Sequence, residues 1–409
     1  MKKYDLIVLG GGISGVAAAV SAARQGLSVL LIEKYGHLGG AMSNSLVYPF
    51  MPYTVRGEGG KDTNKGLFTE MVDRFAEYNE HSWEFYKFVF DDIVKEAGAE
   101  VLFHATVIEA KTDGRDVKKV SVATKSGIIE IEADFFIDAS GDGELIYMTG
   151  CGYQLGRESD NYCQPMTTCF RICNVDVKLF NSELYALNKL YIEQREKGLM
   201  QNPREDILVF YGLGEDVIHF NTTRVVKHNP VDPFEITEAE IIARKQVLEM
   251  FKFLKENAQS CKKAELISIA SHIGVRESRK LKGEHILTGE ELKNTVDFED
   301  TIALGCYSID IHNPTGTGTT LYHFKEGEYY KIPYRCLLPK EYDNMLVAGR
   351  CISANHEAHS AIRIMPICAS LGEAAGIAVS VAKKTGSNAH TVDIKSVQNT
   401  LREVGAEID

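Results

Sequence analysis

Hydrophobic patterning changes register several times along the chain. Residues 4–9, Tyr-Asp-Leu-Ile-Val-Leu, and 29–32, Val-Leu-Leu-Ile, are short continuous apolar runs. That pattern belongs to parallel strands buried on both faces. Between them an alanine-rich stretch, 14–25, predicts a helix that Gly26 stops. Leu67, Met71, Phe75 and Tyr78 make one helical stripe, and Phe85, Phe88, Val89 and Ile93 make another, closed by Gly98. The glycine- and proline-rich segment 44–66 before them predicts a loop over the site.

From Glu100 the period falls to two. Residues 101–103 predict a short strand, and 107–110, 117–124 and 128–131 predict a three-stranded meander with turns at Asp113-Gly114 and Ser126-Gly127. A further apolar strand over 133–138 runs into Ala139-Ser140-Gly141-Asp142. Strand-like runs at 166–173, 207–211, 217–220, 266–272 and 302–311, with helical patterns at 177–196 and 235–257, predict a mixed-sheet lobe. The pattern at 343–350 returns to a turn, a short buried strand and a glycine, followed by a small-residue helix over 366–383 with Pro366 at its first position. The expectation is an α/β chain. A doubly wound nucleotide-binding domain with a β-meander covers 1–154 and 331–409, and an inserted α+β substrate domain covers 155–330.

At 409 residues, two lobes around one site is the expected organisation. The net charge of −12 argues against a nucleic-acid surface. The nine cysteines show no C-x-x-C and no zinc or iron–sulfur spacing, Cys163, Cys169 and Cys173 included, which predicts free thiols and no metal. No apolar run reaches the ~20 residues of a spanning helix. A cytoplasmic protein without a membrane span is expected. The start, Lys2-Lys3 before an apolar run, mimics a signal peptide, but glycines interrupt that run.

The chemistry begins at Gly10, Gly12 and Gly15, which occupy G-x-G-x-x-G positions between strand and helix. The first permits a tight turn, the second a close pyrophosphate, the third close helix–sheet packing. Phosphates favour a helix N-terminus, and Glu33, ending the second strand, suits a ribose. Three further motifs carry a resemblance: Gly39-Gly40 soon after that acid, the strand ending in Ala-Ser-Gly-Asp at 139–142, and Val-Ala-Gly-Arg at 347–350 before the last helix. The chain resembles the FAD-dependent oxidoreductase family of the glutathione-reductase-like fold. Gly-Arg-Cys-Ile-Ser-Ala…His…Arg-x-Met-Pro at 349–366 and Gly-Val-Arg-Glu-Ser-Arg at 274–279 resemble a bacterial branch of it. The resemblance implies bound FAD, held by Gly10, Gly12, Ser14, Gly15, Glu33, Lys34, Gly39, Gly40, Val107, Ser140, Gly141, Asp142 and Arg350.

A flavin handles the hydride, so the protein must orient a substrate and move a proton. His356 and His359 follow the last motif and are the candidate bases; His312 and His323 are fallbacks. Arg276 and Arg279 are a candidate carboxylate clamp unless Glu277 pairs with one, and Arg363 is a third anion holder. Cys351 reads as a packing residue. The expected function is hydride transfer between flavin N5 and a small polar, anionic metabolite. The alternatives are an electron-transfer subunit with a protein acceptor and a flavoprotein acting on tRNA. A homo-oligomer is compatible with either partner state.

Overall fold

The computed structural model describes residues 3–409; Lys2, part of the leader-like start, lies outside the described residues. Strands β1 (Lys3–Leu9), β2 (Val29–Ile32), β3 (Glu100–Leu102), β4 (Thr106–Asp113), β5 (Asp116–Thr124) and β6 (Gly127–Asp138) form one sheet in the order β3-β2-β1-β6-β5-β4. The strand Met345–Val347 joins beside β6. Pairing of β1 with β2 and β6, of β2 with β3, and of β6 with Met345–Val347 is parallel, and the β4–β5–β6 meander is antiparallel.

One strand, β6, serves both halves of the sheet. Residues 127–132 pair with β5, and 132–138 pair with β1, Glu132 belonging to both registers. Two separate strands over 128–131 and 133–138 were expected from the pattern. Between Ile131 and Phe135 the chain has no glycine or proline to break it, and the extended backbone continues.

Helix α1 (Ile13–Arg24) and the helix Met365–Thr385 cover the sheet and cross in backbone contact. A Cβ at Gly15 would lie 1.8 Å from Gly10 O, one at Gly372 2.0 Å from Ser14 O, and one at Gly376 2.4 Å from Ala18 O. Small residues therefore set the interhelical distance. Met365–Thr385 is long and apolar enough to cross a membrane, yet 94% of its most apolar window is buried inside the protein. Its one buried carboxyl, Glu373, reaches out and accepts from Leu67 N (3.2 Å) at the start of the helix Leu67–Glu77.

A second core belongs to the lobe. Its four-stranded antiparallel sheet, ordered Glu265–Ile269, Phe170–Cys173, Ile218–Phe220, Val209–Phe210, turns Phe170, Ile172, Ile218 and Phe220 onto the helices Val177–Glu196 and Pro233–Asn257. Phe170 stacks on Phe220 at 4.7 Å. Both helices open on aspartate caps: Asp176 accepts from Leu179 N, Asp232 from Phe234 N and Glu235 N. The lobe core is drawn from residues 170–264, whereas Leu281, Leu287, Ile302, Ile309 and Tyr330, inside the span 155–330, pack into the first core. The apolar run 302–311 is not one strand. It forms Thr301–Gly305 and Ile309–His312, broken at residues 306–308. Residues 166–167 make only isolated bridges, and the run at 266–272 ends as a strand at Ile269.

Candidate functional site

A cavity of about 650 Å³ runs from the glycine turn after β1 to the face of the lobe sheet. Gly10, Gly12, Ser14, Glu33, Lys34, Gly39, Gly40, Val107, Ser140, Gly141, Asp142 and Arg350 all line it, and Gly15 lies beneath, against Gly10. The turn is glycine by necessity. Gly10 has φ +96, and a Cβ there would meet Ala139 O at 2.6 Å. Gly40 sits back to back with Gly12, where a Cβ would be 2.8 Å from Gly12 Cα. Gly12 itself faces open space, its nearest neighbour to a Cβ being 3.8 Å away.

Polar groups in this half are set as the dinucleotide reading requires. Ser14 Oγ, in the first turn of α1, is buried without a protein partner among the described residues. The buried Glu33 carboxylate accepts from Gly11 N (2.6 Å) and Tyr35 N (2.8 Å), which fixes it and leaves one lone pair on each oxygen. Arg350 donates to Asp142 (2.6 Å), as does Ser278 (2.7 Å). Burial acts to raise the Asp142 carboxyl, but Arg350, Ser278 and Lys34 outweigh it and hold it below the usual range. Lys34 pairs with Glu144 at 3.1 Å. An open glycine, an orphaned hydroxyl at a helix N-terminus and a pre-fixed acid fit the pyrophosphate and ribose of FAD.

Arg204, Arg276 and Arg363 line the inner end of the cavity, and Arg224 is buried behind them. Arg204 faces Asp206 at 3.0 Å and Arg224 faces Glu205 at 3.1 Å. Arg363 reaches Asp310 only at 3.8 Å and its Nε has no partner. Arg276 has no carboxylate partner among the described residues. It donates to Pro165 O (2.7 Å) and Thr167 Oγ1 (2.5 Å). Burial, then Arg363, Arg204 and Arg224, push it down to about 9. Between these arginines Tyr307 donates to Asp310 (3.0 Å), and His312 Nε2 lies 3.4 Å from the same carboxylate.

The other candidate residues lie outside the inner end. His356 Nδ1 donates to Glu277 (2.9 Å), which also takes Lys280 Nζ, and none of the three lines the cavity. Burial acts to raise Glu277, but His356 and Lys280 hold it down to about 2. His359 Nε2 donates to Arg350 O (2.9 Å) and is buried behind that turn. Burial holds it well below the usual histidine value, so it is neutral. Arg279 donates to Asp142 O (3.1 Å) and stacks its guanidinium over Tyr147 (4.5 Å); it does not join Arg276 in a clamp. His323 is exposed against Ser308. Cys351 is fully buried with its thiol on Asp138 O and Ala348 O, a packing residue, and all nine cysteines are free. Among the described residues no group of three or more His, Cys, Asp or Glu forms a metal site.

Residues 5–401 match the family described as FAD dependent oxidoreductase. The chain belongs to that family. This FAD-dependent oxidoreductase shares 39% identity over 64 residues with 3-oxosteroid 1-dehydrogenase of Mycolicibacterium smegmatis, covering 15% of this chain and 11% of that protein. It shares 29% identity over 167 residues with Protein FixC of Bradyrhizobium diazoefficiens, covering 36% of this chain and 38% of that protein. The matches thus span well under two thirds of either relative. A geranylgeranyl bacteriochlorophyll reductase-like protein of Thermoplasma acidophilum is 14% identical with a TM-score of 0.50, over 100% of this chain and 84% of that one. That likeness is one of fold.

Tyr307, Asp310, Arg204 and Arg224 were not singled out in the sequence of this oxidoreductase. Asp310-Ile311-His312 carries a signal: residues two apart on a strand share a face, so a carboxylate and an imidazole emerge together. Nothing local marks the arginines, which come from separate segments of the lobe.

Proposed function

We propose that this oxidoreductase acts on a small metabolite bearing one anionic group, bound at the inner end of the cavity. Arg276 carries the reading. It is a half-buried cation facing the cavity with no carboxylate partner among the described residues, while Arg204 and Arg224 are matched at 3.0 and 3.1 Å. A buried charge without a counter-ion is costly, and an anionic ligand relieves that cost. FAD held by the glycine turn, Ser14, Glu33 and Arg350 supplies hydride chemistry at N5.

The protein's own residues do the rest. Arg276 and Arg363 bind and orient the anion. His359 holds the carbonyl of Arg350, which fixes the turn carrying Gly349 and Arg350. Asp142 and Ser278 hold the Arg350 guanidinium.

Anaerobic reduction of the FAD-loaded protein tests the reading. Hydroxy acids or amino acids should bleach the flavin, and Arg276→Met should raise their half-saturating concentration at least 30-fold. Bleaching by neutral sugars or amines alone, with Arg276→Met unaffected, would overturn it. Bleaching by none of them would move a protein electron acceptor forward.

A further inference from the structure

The anion site needs a group that exchanges the substrate proton, and each nitrogen base near it is already committed. Both His356 and His359 face away from the cavity, on Glu277 and on Arg350 O. His312 lines it, but its geometry fixes its tautomer. Arg224 Nη2 sits 3.0 Å from Nδ1, and a guanidinium can only donate, so Nδ1 is the acceptor and Nε2–H faces Asp310. Protonating Nδ1 would set an N–H against a guanidinium. Burial, then Arg276, push His312 down to about 3, in line with that arrangement.

The other proton-bearing groups of the cavity are spent or displaced. His272 stacks on Tyr35 at 4.5 Å, at the Glu33 end. Tyr48 donates to Tyr211 O (2.7 Å). The thiols of Cys169 and Cys368 are pushed up to about 12 by burial. Glu205 and Asp206 also line the cavity but are held by Arg224 (3.1 Å) and Arg204 (3.0 Å). Tyr307 lines it together with Gly349, Ile364, Met365 and Arg363. Its hydroxyl donates to Asp310 Oδ2 (3.0 Å). Asp310 is itself tied by its backbone N–H to Ser360 Oγ (3.1 Å).

We infer that Tyr307 is the catalytic residue that exchanges the substrate's proton, with Asp310 as the positioning residue that holds the Tyr307 hydroxyl and His312 as a positioning residue for Asp310. This rests on the anionic-substrate reading above. In the oxidative direction the substrate C–H bond breaks and its electron pair leaves with that hydrogen as the hydride, which FAD accepts. The proton of the adjoining O–H or N–H passes to Tyr307 Oη while the half-buried Tyr307 hydroxyl releases its own proton to solvent. The substrate loses two electrons and two hydrogens, one as hydride and one as a proton, and the balance closes with that proton in solvent and Asp310 still ionised. Reduction runs the same transfers backwards.

The experiment uses FAD-loaded parent, Tyr307→Phe, Asp310→Asn and Arg276→Met proteins. Stopped-flow anaerobic reduction by glycolate, lactate, 3-hydroxybutyrate and alanine gives a limiting rate and a half-saturation for each. Acetate, which cannot be oxidised, is titrated against the visible flavin spectrum as a binding probe. Tyr307→Phe should lower the limiting rate at least 100-fold, the scale of a lost acid–base group. Its acetate affinity should stay within twofold of the parent, while Arg276→Met loses acetate binding. In Asp310→Asn the amide still accepts from Tyr307 but carries no charge. Its rate should fall about 10-fold and its pH profile should shift to lower pH, because Tyr307 then faces Arg276, Arg363 and neutral His312 without the opposing charge of Asp310.

Parent-like reduction by Tyr307→Phe would overturn the inference, and so would loss of acetate binding in that variant equal to that of Arg276→Met. If acetate leaves the parent flavin unperturbed and no acid reduces it, the substrate reading fails and takes the assignment of Tyr307 with it.

Discussion

Replacing Glu373 with glutamine should stabilise the protein, and by an amount that grows with pH. Glu373 is 4% exposed, projects from the apolar helix Met365–Thr385, and its two oxygens share one donor, Leu67 N, at 3.2 and 3.3 Å. Burial raises its carboxyl from the ordinary 4.5 to about 8, against the lowering pull of Leu67 N and Arg24. A carboxyl raised on folding favours the folded state fully below the unfolded value, and that contribution is lost as pH climbs to the folded one. The interval from 4.5 to about 8 is worth about 5 kcal/mol in full, at 1.36 kcal/mol per pH unit. Glutamine keeps an oxygen for Leu67 N and carries no charge, so Glu373→Gln escapes the loss. With an unfolding entropy of roughly 2.1 cal/mol/K per residue, its advantage in Tm should grow from about 1 °C at pH 5 to about 5 °C at pH 8. Thermal melts of both FAD-saturated proteins at half-unit pH steps read this directly. A Tm difference of the same size at pH 5 and pH 8 would refute the reasoning.

Other substitutions test the site and its frame. Gly372→Ala puts a methyl 2.0 Å from Ser14 O and should cost at least ~3 kcal/mol, read as a drop in Tm with loss of bound FAD. Glu33→Ala removes the acceptor of Gly11 N and Tyr35 N, and FAD affinity measured by fluorescence quenching should fall by ~2 kcal/mol or more, about 30-fold. Replacing Arg276 by Met should weaken acetate binding by ~2–4 kcal/mol in the flavin titration, because the anion then keeps only Arg363 of its two charged donors.

How far the sequence could be read depended on whether a residue's surroundings were local. The glycine turn, the apolar strands and Glu33 are neighbours in the chain as well as in space, so their pattern carried through to the cavity lining. The helix Val177–Glu196 announced itself the same way, by its helical pattern. Positions whose role depends on distant segments were opaque. His356 sits in sequence beside the Arg350 turn, yet the first turn of its helix aims it at Glu277 from residues 274–279. Tyr307 lay hidden in an apolar run that looked like one strand, because the break after Gly305 has no strong turn former. The pairing that leaves Arg276 as the odd cation involves partners at 205, 206 and 310 that no spacing rule connects.

The backbone seam between α1 and Met365–Thr385 has a consequence for how the chain is born. A ribosome working at roughly 5–20 residues per second needs on the order of half a minute to travel from one helix to the other. Throughout that interval the alanine face of α1 has no cover, and β6 lacks the parallel neighbour that Met345–Val347 later provides. Gly349 and Arg350, which complete the cavity opposite Ser14, arrive in the same late stretch. Until those residues are made, a nascent chain therefore carries half a nucleotide site and a first helix without its long partner.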